Sequence, residues 1–137
     1  MQSASPNNNW WGIILSLIFL PELSGQEIPT MLFVKSESQS SGLNIEFLLS
    51  DSVQRQDVSA WIEQENWFII NFYNIIKPNP GIFNDLVLYP ILDVQQAWAS
   101  NSLQVSIQTA QKIGASDVAF YSDGKRIIVA LTYKDFI

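Results

Sequence analysis

The 137-residue chain contains no histidine and no cysteine. That removes imidazole general bases, thiolate nucleophiles, disulfides and Cys/His zinc sites together. Carboxylates, hydroxyls, lysines and flat aromatics remain. Glycoside hydrolysis needs two carboxyl groups facing one another across a cleft. Glu46, Asp51, Glu63, Glu65, Asp93 and Asp123 are available for this, but they scatter over strand faces and hairpin tips without converging. Ser106 and Lys112 could form a nucleophile–base pair, but Lys112 falls in a polar loop where nothing would desolvate and activate its ammonium. The chain reads as a non-enzyme that uses no cofactor and no metal.

Binding chemistry is better represented. Trp61 and Tyr121 stand at corresponding places in an internal repeat, each followed two residues later by an acid, Glu63 and Asp123. In alternating strands, Val58, Ala60 and Ile62 would point one way and Trp61 the other, and Val118 and Phe120 would oppose Tyr121 in the same manner. An outward aromatic can stack on the apolar face of a sugar ring while the acid accepts from its hydroxyls. The competing placement is inside, filling the space between sheets, where large aromatics usually lie. A second polar set comprises Asn44 and Glu46 in the first copy and Gln104, Ser106 and Gln108 in the second. Amides and hydroxyls with few charges suit a neutral, hydroxyl-rich ligand, and equally an ordinary solvated face. Trp98 is a sugar platform or a strand-end plug.

These side chains are positioned by a repeat of sixty residues. Leu43-Asn44-Ile45-Glu46-Phe47 alternates apolar and polar, as does Leu103-Gln104-Val105-Ser106-Ile107. Val53 and Ile113, and Asp57-Val58 and Asp117-Val118, keep the same offset, and closing strands follow at Trp67–Tyr73 and Arg126–Tyr133 after one residue of slippage. Four strands per unit are expected. Thr30–Lys35 leads the first, before a Ser-rich loop over Ser36–Gly42; Leu86–Trp98 has strand character ahead of the second. Gln64-Glu65-Asn66 reads as a tight hairpin turn, and Ser122-Asp123-Gly124-Lys125 as a stronger one, because Asp-Gly accepts the positive φ such turns demand. Lys77-Pro78-Asn79-Pro80-Gly81 breaks any strand, giving unit one over 28–77, a linker over 78–85 and unit two over 86–135. Val94–Gln111 contains good helix formers, but the repeat makes it strand. The fold class is all-β, a β-sandwich of two pseudo-symmetric four-stranded units that bury their apolar faces together.

A hydrophobic content of 47% is that of a packed globular domain. A net charge of −6 at pH 7 opposes sequence-independent nucleic-acid binding, which needs a basic footprint, and docking on anionic lipid. Trp10–Leu20 (WWGIILSLIFL) is an uninterrupted apolar run followed by Pro21 and Ser24-Gly25. It is shorter than the roughly 20 residues a membrane span takes and suits the apolar region of a secretory signal. Residues 1–25 are read as a signal peptide cleaved after Gly25, although Met1–Asn9 carries no Lys or Arg and Leu23 is large for the −3 position. A hydrophobic strand or helix packed on the domain is the alternative.

Over roughly Ile28–Tyr133 the chain resembles an AMIN domain, the non-catalytic module attached to cell-wall amidases and to type IV pilus secretins. Leu43–Leu49 and Leu103–Thr109 are similar to that family's second strand, and Asn66–Phe72 and Lys125–Leu131 to its closing strand. The family's closing-strand Arg is Trp67 in the first unit and Arg126 in the second; its Asp is Asn71 and Ala130; its Pro-Pro turn is Glu65-Asn66 and Gly124-Lys125. The resemblance implies an exported, non-enzymatic module of the periplasm or cell envelope. It implies peptidoglycan, or another envelope glycan, as ligand, with Trp61, Tyr121, Glu46, Gln104, Gln108 and Arg126 as the binding candidates. Because Ile137 follows the last strand directly, it would act as a stand-alone targeting or adaptor subunit. The other reading is a protein–protein module of a secretion or pilus assembly, joining secretin or cell-wall hydrolase components through an exposed sheet edge.

Overall fold

The computed structural model describes residues 27–137; the apolar run Trp10–Leu20 and the processing point expected at Gly25 lie outside them. Eight strands follow in order: β1 (Met31–Ser38), β2 (Gly42–Leu49), β3 (Val58–Glu63), β4 (Trp67–Tyr73), β5 (Ile91–Ala99), β6 (Ser102–Thr109), β7 (Ile113–Tyr121) and β8 (Arg126–Tyr133). They form two four-stranded antiparallel sheets, β1-β2-β8-β7 and β3-β4-β6-β5. The protein is an all-β sandwich. β1 runs to Ser38, so the Ser-rich segment is mostly strand and the loop shrinks to 39–41. Conversely, strand structure before Trp98 begins only at Ile91, because Pro80–Leu86 coils into a 3-10 helix.

The two sequence units do not each make a sheet. Every sheet takes one hairpin from each unit, and exchanging the units converts β1-β2-β8-β7 into β5-β6-β4-β3, which is the other sheet read backwards. Hydrogen bonds between and within the units repeat accordingly. Leu49 N donates to Lys125 O at 2.8 Å, and Thr109 N to Asn66 O at 2.9 Å; Ser50 N donates to Thr30 O at 2.8 Å, and Ala110 N to Pro90 O at 2.9 Å. Bulges recur as well, at Leu32 in β1 and Leu92 in β5. Neither unit could satisfy its edges or bury its faces alone, which is why the duplication folds as one body.

Alternation sets the core. Leu43, Ile45, Phe47 and Leu49 of β2 are buried with Ile127, Val129 and Leu131 of β8, opposite Phe68, Ile70 and Phe72 of β4 and Leu103, Val105 and Ile107 of β6. Phe47 and Phe72 meet edge-to-face across the sheets, with ring centroids 5.1 Å apart, the arrangement the ring quadrupoles favour. The linker contributes too: its helix inserts buried Phe83 and Leu86 and packs on β1 and β5. On the other side β3 and β7 approach each other, and the Arg55 guanidinium lies 4.7 Å over the Phe120 ring.

The symmetry slips in one place. Val53 N bonds Gly124 O and Ile113 N bonds Glu65 O, still near the sixty-residue offset. Unit one then spends extra residues on the 3-10 turn Arg55–Asp57, whereas β7 begins directly at Ile113. The β3–β4 hairpin closes over 64–66 and the β7–β8 hairpin over 122–125. In the paired sheets Trp61 therefore corresponds to Ala119, and Tyr121 corresponds to Glu63. The expected equivalence of Trp61 with Tyr121 is corrected: the motif matches in sequence, but backbone pairing shifts it by two residues, which preserves the face and changes the neighbours.

Candidate functional site

The shift divides the six candidate residues between two outer faces. On the sheet β3-β4-β6-β5, register aligns Trp61, Ile69, Ser106 and Gln95 in one cross-strand row, Glu63, Trp67, Gln108 and Asp93 in the next, and Ser59, Asn71, Gln104 and Ala97 in a third. Trp61, Gln104 and Gln108 thus share a face. On the sheet β1-β2-β8-β7, the matching rows are Lys35, Glu46, Ile128 and Ala119, then Phe33, Leu48, Arg126 and Tyr121. Glu46, Arg126 and Tyr121 share that one. The structure does not bring the six together. Trp61 and Tyr121 are 40% and 49% exposed, which excludes the placement between sheets.

Each face has a shallow depression at the same place in the symmetry. One is about 190 Å³ and involves Lys35, Asn44, Glu46, Arg126 and Ile128. The other is about 210 Å³ and involves the corresponding Gln95, Gln104, Ser106, Trp67 and Ile69, with Glu63 and Gln64 at its rim. The first is closed by charge. Arg126 Nε donates to Glu46 Oε2 at 2.6 Å, and Lys35 Nζ lies 3.7 Å from Oε1. The Arg126 hydrogen bond holds the Glu46 carboxyl below the usual carboxylate range, against the opposing effect of burial, with the Arg126 and Lys35 charges adding to it. Tyr121 flanks the cluster, its ring 5.9 Å from the guanidinium.

Among the described residues, the second depression holds no ion pair. Ile69 forms its floor, 5% exposed, and the half-buried Trp67 indole is one wall. The rim is organised locally: Trp61 Nε1 donates to Glu63 Oε1 at 3.4 Å, and Gln95 Nε2 donates to Asp93 Oδ2 at 3.0 Å. Among the described residues, the side chains of Gln104, Ser106 and Gln108 make no hydrogen bond to protein, so their amides and hydroxyl are free for a ligand. No lysine or arginine among the described residues borders the cleft. An apolar platform with convergent amides and a hydroxyl fits a neutral polyol, the ring face lying on the indole and its hydroxyls on the amides.

The two carboxylates of this face stand far apart. Glu63 and Asp93 sit at opposite ends of one row, three strand spacings apart, or about 14 Å between backbones. Paired glycosidase carboxyls lie closer together, at roughly 5–9.5 Å. Lys112 is held by Glu65, Nζ to Oε1 at 3.2 Å, and does not pair with Ser106. Lys134 grips the same carboxylate at 2.9 Å.

Trp67 and Gln95 complete the cleft without having stood among the candidates. Trp67 had a legible signal: it occupies the position at which the second unit keeps Arg126. Its meaning depended on what lay beside it across the sheet. Trp98, placed by its sequence next to the polar face, packs instead on the core side of β5. No protein-family model matches the chain, and no curated relative matches it.

Proposed function

We propose that this protein is a non-catalytic, exported module that holds a neutral glycan of the cell envelope in the Trp67 cleft. Peptidoglycan is the polymer that the AMIN resemblance implies. One observation carries the reading: of two symmetry-related depressions, the one walled by Trp67 is free of ion pairs, while its twin is occupied by Glu46, Arg126 and Lys35. The roles divide within the cleft. Trp67 supplies the stacking surface, Trp61 extends it towards β3, and Gln104, Ser106 and Gln108 meet hydroxyl or acetamido groups. Glu63 and Asp93 orient the rim side chains.

Co-sedimentation with insoluble cell wall tests this. The wild-type protein and Tyr121→Ala should pellet with the wall, and Trp67→Ala should remain largely in the supernatant while melting cooperatively. A wild-type protein that stays soluble, or a folded Trp67→Ala that pellets undiminished, would overturn the proposal.

A further inference from the structure

Around the edge of β5 from the amide cleft lies a second groove, of about 490 Å³, which the glycan reading leaves unused. Trp98 and Leu103 form its base, Pro78 and Pro80 of the linker its opposite wall, and Lys77 its mouth. Gln96 Nε2 donates to Pro80 O at 3.2 Å, so strand and linker hold the walls at fixed separation. In unit one, Ser38 stands at the place of Trp98.

Its lining, among the described residues, carries one charged group, Lys77. Among the described residues, Lys35 and Arg126 are committed to Glu46, Lys112 and Lys134 to Glu65, and Arg55 to the Phe120 ring. Lys77 and Lys125 make no ion pair among the described residues, although the chain carries a net charge of −6, and of the two Lys77 lines the groove. An ammonium beside an indole- and proline-walled groove, with no acidic residue among the described lining residues, complements a carboxylate attached to a small apolar body. The sheet also ends at β5, so part of its backbone faces away from β6 and can pair with an extended chain.

We propose that this groove binds the carboxyl end of a peptide, with the terminal carboxylate on Lys77 and the last apolar side chain against Trp98 between the two prolines. The site is independent of the glycan cleft and survives if that reading fails. The test is a titration of the full chain with N-acetyl-Ala-Ala-Ala as the free acid and as the C-terminal amide. It is followed by the Trp98 indole N–H resonance, assigned with Trp98→Phe. The acid should shift that resonance saturably and bind about tenfold more tightly than the amide, as a charge-assisted contact predicts. Lys77→Gln should lower the acid to the affinity of the amide, added salt should weaken the acid alone, and Trp67→Ala should change nothing. Equal binding of acid and amide, an indifferent Lys77→Gln, or an unmoved Trp98 resonance would overturn the proposal. Acetate producing the same shift at the same concentrations would overturn it as a peptide site.

Discussion

The two outer faces of this sandwich have the same strand order and nearly the same register, yet they differ in what they can bind. Where one presents Lys35, Glu46 and Arg126, the other presents Gln95, Ser106 and Trp67. A guanidinium 2.6 Å from a carboxylate fills the first depression with groups that satisfy each other. Replacing that pair by a hydroxyl and an indole leaves the second depression open, with polar groups awaiting partners. Duplication provided two copies of one scaffold, and only one was left free of internal charge pairing. Surface chemistry can therefore diverge while the buried half of each strand stays mostly apolar.

The largest effect should come from disturbing the scaffold beneath both faces. Gly124 sits at φ 85° with its Cα against the Val53 backbone, so a Cβ would collide with the Val53 carbonyl. Gly124→Ala should cost about 2–4 kcal/mol in a denaturant melt, combining left-handed strain and steric displacement. The corresponding residue in the other hairpin is Glu65, at φ 67° and engaged by two lysines. Glu65→Gly relieves strain and loses exposed ion pairs at once, and its denaturant midpoint should stay close to that of wild type.

Exchanging the chemistry of the faces tests the comparison directly. Trp67→Arg with Ser106→Glu installs the ion pair of the closed face in the open one. Sedimentation with cell wall should be lost while the melt remains cooperative. Retained binding would break the comparison. On the closed face, Arg126→Ala leaves Glu46, whose side chain is only 15% exposed, facing Lys35 alone. That should lower the denaturant midpoint, by less than Gly124→Ala does.

Acid should distinguish the faces in the same experiment. The Glu46 carboxyl titrates below its ordinary range in the folded protein, so between those values the unfolded chain binds the extra proton. Stability from this group is complete above the ordinary carboxyl value, roughly pH 4.3, and is lost as pH falls through the lowered folded value. Glu46→Gln should flatten that part of the stability profile, whereas Ser106→Ala should leave its shape unchanged.

Smaller effects concern single rings. Trp67→Ala should weaken wall binding roughly fivefold, equivalent to about 1 kcal/mol of aromatic contact. Trp61, more exposed and at the rim, should show a smaller loss, and Tyr121→Ala none. Since both rings are solvent-exposed, both variants should melt close to wild type. An equal loss from Trp61→Ala and Tyr121→Ala would restore the pairing that backbone register argues against.

Strand positions, inward residues and the existence of two units were legible in the sequence, because alternation and duplication are local patterns that burial acts on directly. Leu43–Leu49 and Leu103–Thr109 name their own buried faces. Which strands become neighbours was not local. β4 pairs with β6 and β2 with β8 through hydrogen bonds between the units, and nothing within either unit states that its hairpins part to join different sheets. The tertiary structure also decided the site. A turn at Arg55–Asp57 and unequal hairpin loops shift the third strands by two residues, setting Trp61 against Ala119 rather than Tyr121. Binding chemistry depends on which side chains adjoin across strands, and that adjacency is set by backbone pairing rather than by the order of residues along the chain.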